Sequence, residues 1–179
     1  MLAFLVPTPV AAQLPTPASG AKAMVPAAPS AREQIDELIK AKKLDQALQR
    51  ADVEIAKNPR DAQVRFLRAV ILADLKKTPE AITAYETLTQ EFPELPEPYN
   101  NLAVLQAAVG RYEVARSLLL RSIEAQGSYI TARDNLGDLY LAMAADAYTQ
   151  ALRLSPQDKD LQAKLAVARD AAAKLRAAR

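Results

Sequence analysis

The sequence has no cysteine, no histidine and no tryptophan. Without cysteine there is no disulfide framework, no thiolate nucleophile and no thiolate zinc site. Without histidine the usual general base near neutral pH is missing. Glycine is scarce, with 4 in 179 residues, and aromatics make up only 5%. No apolar run approaches the roughly 20 residues a membrane-crossing helix needs. Neither charge dominates: 23 basic side chains face 21 acidic ones, interspersed along the chain. That balance gives no electrostatic footprint for nucleic acid. No phosphate loop or metal-spaced cluster is present, so neither a cofactor nor a metal is expected. Asp134 and Asp138 stand one helical turn apart and superficially resemble a catalytic carboxylate pair. On a mixed-charge helix such a pair reads as a solvated face, and the chain is not expected to be an enzyme.

Half of the residues are apolar and alanine is abundant. This mix favours helices packed closely through small side chains. The first thirty residues differ from the rest. Leu2–Val6 is apolar, and Val10 and Ala12 offer small residues for cleavage, so residues 1–12 read as the back half of a secretory signal peptide. No Lys or Arg precedes the apolar run, and an Ala/Pro-rich tail is the alternative. A periplasmic or secreted location follows from the first reading, a cytoplasmic one from the second. Residues 13–29 carry several prolines and read as an extended linker.

From Ser30 onward the chain repeats itself. Ala47, Ala81 and Ala115 are spaced 34 and 34; so are Pro59, Pro93 and Gly127, and Ala69, Ala103 and Gly137. A fixed period of this length means stacked copies of one small unit. Ser30 opens a first helix, with Glu33 placed for a capping box. A second helix runs from Leu44 to Lys57 and is stopped by Asn58-Pro59. Asp61 caps a third, Ala62–Lys76, and Thr78-Pro79-Glu80 starts a fourth with Thr78 as the expected cap. The fifth, Glu97–Val109, and the sixth, Tyr112–Gln126, each end at a glycine, Gly110 and Gly127. The unit is a pair of antiparallel helices joined by a short turn, spanning 30–61, 62–95, 96–129 and a shortened 130–156.

These positions resemble the tetratricopeptide-repeat (TPR) family. The third unit carries Tyr99, Leu102 and Ala103, then Ala115, Leu119, Ser122 and Gly127. The second carries Ala69, Leu72, Ala81, Tyr85, Leu88 and Pro93; the fourth carries Leu136, Gly137 and Tyr140. The resemblance covers Ser30–Pro156. It implies an all-α, right-handed solenoid of about 3.5 helix hairpins, closed by a C-terminal capping helix.

Two places break the pattern. From Tyr140 to Pro156 is 16 residues, where Leu72 to Pro93 is 21. No glycine or proline lies between Gly137 and Pro156. The two helices of unit four are therefore expected to fuse into one rod, about Thr131–Leu154, with a tight kink near Ala144-Ala145-Asp146 as the alternative. Leu136, Leu139, Tyr140, Met143, Ala147, Ala151 and Leu154 would share its apolar face, and regular stacking should end there. The second break joins units one and two, where Glu54, Arg65 and Arg68 occupy family positions that are usually small, aromatic and apolar. Burial of an unpaired charge is costly, so Glu54 is expected to pair with Arg65 or Arg68, the alternative being that all three reach solvent. A last helix, about Gln157–Arg176 within 157–179, presents Leu161, Leu165, Ala168, Ala172 and Leu175 and suits a cap on the stack.

The resemblance also implies a concave groove lined by the first helix of each unit. Its inward positions are Gln63, Phe66, Val70 and Asp74; Glu97, Asn100, Asn101, Val104 and Ala108; and Thr131, Asp134, Asn135 and Asp138. Asn101 and Asn135 fall on the same inward position of successive units, where an amide can donate to and accept from a bound backbone. The alternative is that these amides tie neighbouring helices together. The carboxylate-clamp members of the family use inward cations, and here the corresponding positions are Phe66, Val70, Thr131 and Asn135. The expected function is a protein-interaction scaffold holding a neutral or basic peptide, or a partner helix, with a few apolar anchors. The alternative is a structural protein that self-associates through its terminal helices. A monomer is the favoured state.

Overall fold

The computed structural model describes residues 29–177. The signal and linker readings on 1–28 lie outside the described residues, as does the side chain of Leu175. Eight helices follow one another among the described residues: α1 (Ala31–Lys40), α2 (Leu44–Lys57), α3 (Ala62–Asp74), α4 (Thr78–Glu91), α5 (Pro96–Ala108), α6 (Tyr112–Ala125), α7 (Ile130–Leu154) and α8 (Lys159–Ala177). Each helix packs on the next in the chain, giving an all-α solenoid of hairpins.

The turn inside each hairpin has one recipe. Lys42, Lys76 and Gly110, spaced by the period of 34, adopt φ of 57°, 62° and 78°. The next residue's N–H returns to a carbonyl five positions back: Lys43 to Leu38, Lys77 to Leu72 and Arg111 to Gln106, at 2.9–3.0 Å. A left-handed residue at this point closes a helix by turning its last carbonyls inward. Glycine does this freely, whereas the two lysines carry a steric cost of about 1–2 kcal/mol.

The helix starts are less uniform. Ser30 and Glu33 form the expected capping box, and Asp61 accepts from the N–H groups of Gln63 and Val64 at 3.0 and 3.1 Å. Thr78 is not a cap. It is the first residue of α4, and the capping position is Lys77, whose side chain makes no capping bond. Gly127 has no positive φ among the described residues, unlike Gly110. Its equivalents are Pro59 and Pro93, so the backbone there follows a path that proline also takes and needs no glycine freedom.

Three clusters form the core, one per junction. Ile35, Ala47, Ala51, Val64 and Ile71 fill the first; Ala69, Leu72, Ala81, Tyr85, Leu88 and Leu102 the second; Ala103, Ala115, Leu119, Ala132 and Leu139 the third. The alanines repeating every 34 residues are all fully buried, which is how the helix backbones approach.

The charged junction is arranged differently from the sequence expectation. Glu54 pairs with Arg50 and Lys57 of its own helix, not with Arg65 or Arg68. Arg68 pairs with Asp52 at 2.6 Å. Arg65 reaches the carboxylate of Glu91, one of its contacts being 3.0 Å, and lies over the ring of Phe92 at 5.5 Å. The junction is thus crossed by Arg68 and Asp52, while Arg50, tethered to Gln34 at 2.9 Å, sits one turn from Glu54 and pairs with it. Arg65, Tyr99 and Arg133 are equivalent positions, and each ties its helix start to preceding chain, Arg65 by donating to the Pro59 carbonyl at 3.5 Å. Tyr99 donates to the Thr89 carbonyl at 3.0 Å, and Arg133 donates to the Gly127 carbonyl at 3.0 Å.

Unit four is one continuous helix of 25 residues, as its missing turn predicts. Its apolar face is only part of the one expected. Leu139 is buried, with Leu136 and Met143 packed beside it on α6. Tyr140 is 47% exposed, Leu154 is 90% exposed, and Ala147 is exposed. A helix that cannot fold back covers only the flank that meets α6. The chain turns at Ser155 and α8 runs back along another flank of α7, with Leu165 and Ala168 buried and Arg169 reaching Thr149.

Candidate functional site

The first helices of units two, three and four are α3, α5 and α7, and the expected groove residues lie on them. Phe66 and Val70 are partly buried against the second core cluster, where Phe66 meets Tyr85 with ring centroids 6.0 Å apart. Gln63 and Asp74 are exposed, as are Ala108, Thr131 and Asp134, while Glu97 is half-buried. Val104 is 47% exposed.

The asparagines join into one chain of amides. Asn135 Nδ2 donates to Asn100 Oδ1 at 2.8 Å, Asn100 Nδ2 donates to Asn101 Oδ1 at 3.1 Å, and Asn101 Nδ2 donates to Tyr85 Oη at 3.1 Å. Three helices, α7, α5 and α4, are tied by this run. Asn100 is 3% exposed, so its amide must be satisfied within the protein. The tyrosine end is buried too: loss of solvent pushes the Tyr85 phenol up to about 12, against the opposing pull of the Asn101 amide. Poor helix formers therefore sit inside α5 because their side chains bond across helices.

Beside this chain lies a cavity of about 320 Å³. Its walls bring together Val104 of α5 and Asn135 and Asp138 of α7 from the expected set, with Ala103, Leu139 and Ala142 supplying apolar surface. Among the described residues no lysine or arginine lines it. Phe66, Val70, Asp74, Glu97, Asn101 and Asp134 do not reach it. The reading of inward positions missed Ala107, one turn after Val104, which helical periodicity could have supplied. It also missed Ala172, which the apolar stripe of the last helix marked for packing but not for the groove, and which enters the wall because of how α8 docks. A larger cleft of about 690 Å³ lies between α2 and α4, but its two guanidiniums, Arg65 and Arg68, are already paired with carboxylates. Among the described residues no group of acidic side chains could hold a metal ion, and no helix is long and apolar enough to cross a membrane.

A solenoid of two-helix units with small residues at the crossing points defines a helical-repeat class. Residues 32–96 match the family model described as tetratricopeptide repeat. The likeness to solved structures is wider. The first TPR domain of Spaghetti (RPAP3), solved with the HSP90 peptide SRMEEVD, is 19% identical, with 64% of this chain and 90% of that one covered at a TM-score of 0.59. MamA is 18% identical, covering 80% of this chain and 85% of that one at a TM-score of 0.56. The TPR2B domain of yeast Sti1, in a complex with an Hsp70 peptide, is 25% identical, covering 62% and 90% at a TM-score of 0.55. No curated protein matches the sequence. Residues 32–96 thus match tetratricopeptide repeats, and the described chain shares the helical-repeat fold of the solved TPR structures, as its sequence resemblance implied.

Proposed function

We propose that the chain is a protein-interaction scaffold whose concave side, centred on the cavity between α5 and α7, holds an extended peptide or a partner helix of neutral or basic character. The observation that carries this reading is the cavity's lining, apolar across Ala103, Val104 and Leu139 with Asp138 as its charged side chain. Such a wall takes an aliphatic anchor and favours a nearby cation on the ligand. RPAP3 and Sti1 were solved with chaperone peptides, which supports peptide holding on this fold. Their ligands do not carry over: the clamp positions here are Phe66, Val70, Thr131 and Asn135, and none is cationic.

Residues 30–179 on a peptide array test it. Retained peptides should be enriched in Lys or Arg flanked by Leu, Ile or Val. Binding should weaken as salt rises, and Val104→Asp should abolish it. Selection of acidic C-terminal peptides such as SRMEEVD would overturn the reading. We further propose a periplasmic or secreted location, from the apolar run Leu2–Val6 and the small residues before Gln13. A mature protein whose N-terminal sequence begins at Met1 would overturn that.

A further inference from the structure

Unit four keeps both halves of a repeat but lacks the turn between them. In units one to three the second helix carries the repeat's marked positions at Ala47, Ala51 and Glu54, then Pro59; at Ala81, Tyr85 and Leu88, then Pro93; and at Ala115, Leu119 and Ser122, then Gly127. The spacing is 4, 3 and 5 each time. Ala144, Tyr148, Ala151 and Pro156 have the same spacing, so the second half of α7 is a second helix by sequence.

Its end behaves as one as well. Asn58, Phe92 and Gln126 each return an N–H to the residue four back, and each then accepts from the residue three on, Asp61, Leu95 and Tyr129. Ser155 does the same, with Ala151 behind it and Asp158 ahead.

The seat for such a helix is bare. In units two and three, Ala69 packs with Ala81, and Ala103 with Ala115, all fully buried. The Ser122 hydroxyl reaches the Pro96 carbonyl at 2.8 Å. The matching pairs in unit four are Gly137 with Ala144 and Ile130 with Ala151. One straight helix separates each pair: the seven residues from Gly137 to Ala144 rise about 10 Å and the 21 from Ile130 to Ala151 about 30 Å. Gly137 accordingly has no atom within 4 Å of where a Cβ would stand, and Ile130 is 78% exposed and Tyr140 47%. The first half of α7 is open along this flank, while Ala144, Tyr148 and Ala151 on the second half are half-buried. A cleft of about 540 Å³, lined by Val114 of α6 and Met143 and Ala147 of α7, opens beside it.

We propose that two copies of the chain complete unit four for each other: the second half of α7 from one copy lies antiparallel on the first half of α7 from the other, Gly137 against the partner copy's helix at its own Ala144 position. The occupant is a second copy because the missing element is present in the sequence, intact and held away from its seat only by the absent turn. Shortening a connection until an element cannot fold back is a direct route to exchange between protomers. The face is self-complementary, as a two-fold contact requires. α8 runs antiparallel to its own α7 and so parallel to the first half of the partner's, the direction in which the next first helix of a solenoid would run. A dimer replaces the monomer that the sequence favoured.

The chain's freedom from cysteine makes the test direct. A Gly137→Cys/Ala144→Cys double variant of the full chain cannot bridge within one helix, because a disulfide needs Cα atoms about 4.4–6.8 Å apart. Mild oxidation should convert it to a covalent dimer. The unaltered chain should sediment at twice its 19.4 kDa mass. Inserting Gly-Arg-Tyr-Glu-Val, the residues of Gly110–Val114, between Met143 and Ala144 should restore the turn and return a monomer. A single-chain mass for the unaltered protein at tens of micromolar would overturn the proposal. So would a double variant that stays uncrosslinked, or a folded insertion variant that remains dimeric. Should the insertion prevent folding, the mass and the crosslink still decide.

Discussion

Asn135 and Asn100, 35 residues apart in sequence, share a hydrogen bond of 2.8 Å that ties α7 to α5. Asn100 is the middle of the amide chain and nearly inaccessible. Asn100→Ala should therefore cost about 1–3 kcal/mol, because it strands amide groups on both sides. Asn101→Ala also breaks two bonds, to Asn100 and to Tyr85, but at a half-buried site where water can replace the amide, and should cost about 0.5–1.5 kcal/mol. Urea unfolding of the two variants checks the order, and equal losses would contradict it.

Lys42 and Lys76 hold left-handed conformations that glycine holds at Gly110. Lys76→Gly should raise stability by up to about 1 kcal/mol, and Gly110→Ala should lower it by about the same amount. Thermal unfolding of both variants reads the opposite signs. A destabilised Lys76→Gly would mean that its side chain matters more than its backbone.

Among the described residues three carboxyls are held below their ordinary value of 4.5: Glu33 by the backbone and hydroxyl of Ser30, Glu54 chiefly by Arg50, and Glu91 chiefly by Arg65. A carboxyl lowered on folding stabilises the fold above its unfolded value. That stabilisation fades as pH falls below about 4.5 and through the folded values. The melting temperature should drop from pH 6 to pH 3. A Glu33→Gln/Glu54→Gln/Glu91→Gln variant should start lower and lose less over the same interval. Parallel curves would remove these groups from the acid response.

Tyr85 should be the late-ionising phenol, since burial pushes it up to about 12. Absorbance titration of the folded chain should show one tyrosine ionising beyond the others, and Tyr85→Phe should remove that step.

Much of this was legible because the fold is periodic. Alanines at one spacing announced where backbones meet, and the end of each hairpin was marked by glycine, proline or an N-cap. The fused α7 followed from counting residues between Tyr140 and Pro156. Side-chain partners were another matter. Glu54 looked across the junction to Arg65, but Arg50 was one turn away on the same helix, and spacing along a helix was the stronger guide. Tyr140 and Leu154 read as core because helical periodicity reports a face without saying whether anything covers it. Asn100 and Asn101 were marked as unusual by their poor helix propensity, but their mutual bonding depends on how α4, α5 and α7 approach. Ala172 reached the cavity through the docking of α8, which no local pattern encodes.

Arg65 and Arg133 occupy one position of the repeat and reach the equivalent carbonyls of Pro59 and Gly127, whereas Tyr99, at that same position between them, crosses to the Thr89 carbonyl in α4. Identical bricks can be laid in any order, and a chain built from them risks joining unit two to unit four. Here the joint between units two and three takes a hydroxyl where the joints on either side take a guanidinium, so unit four laid on unit two leaves the Thr89 carbonyl without its donor. An irregularity that blurs the repeat in sequence thus favours one order of assembly.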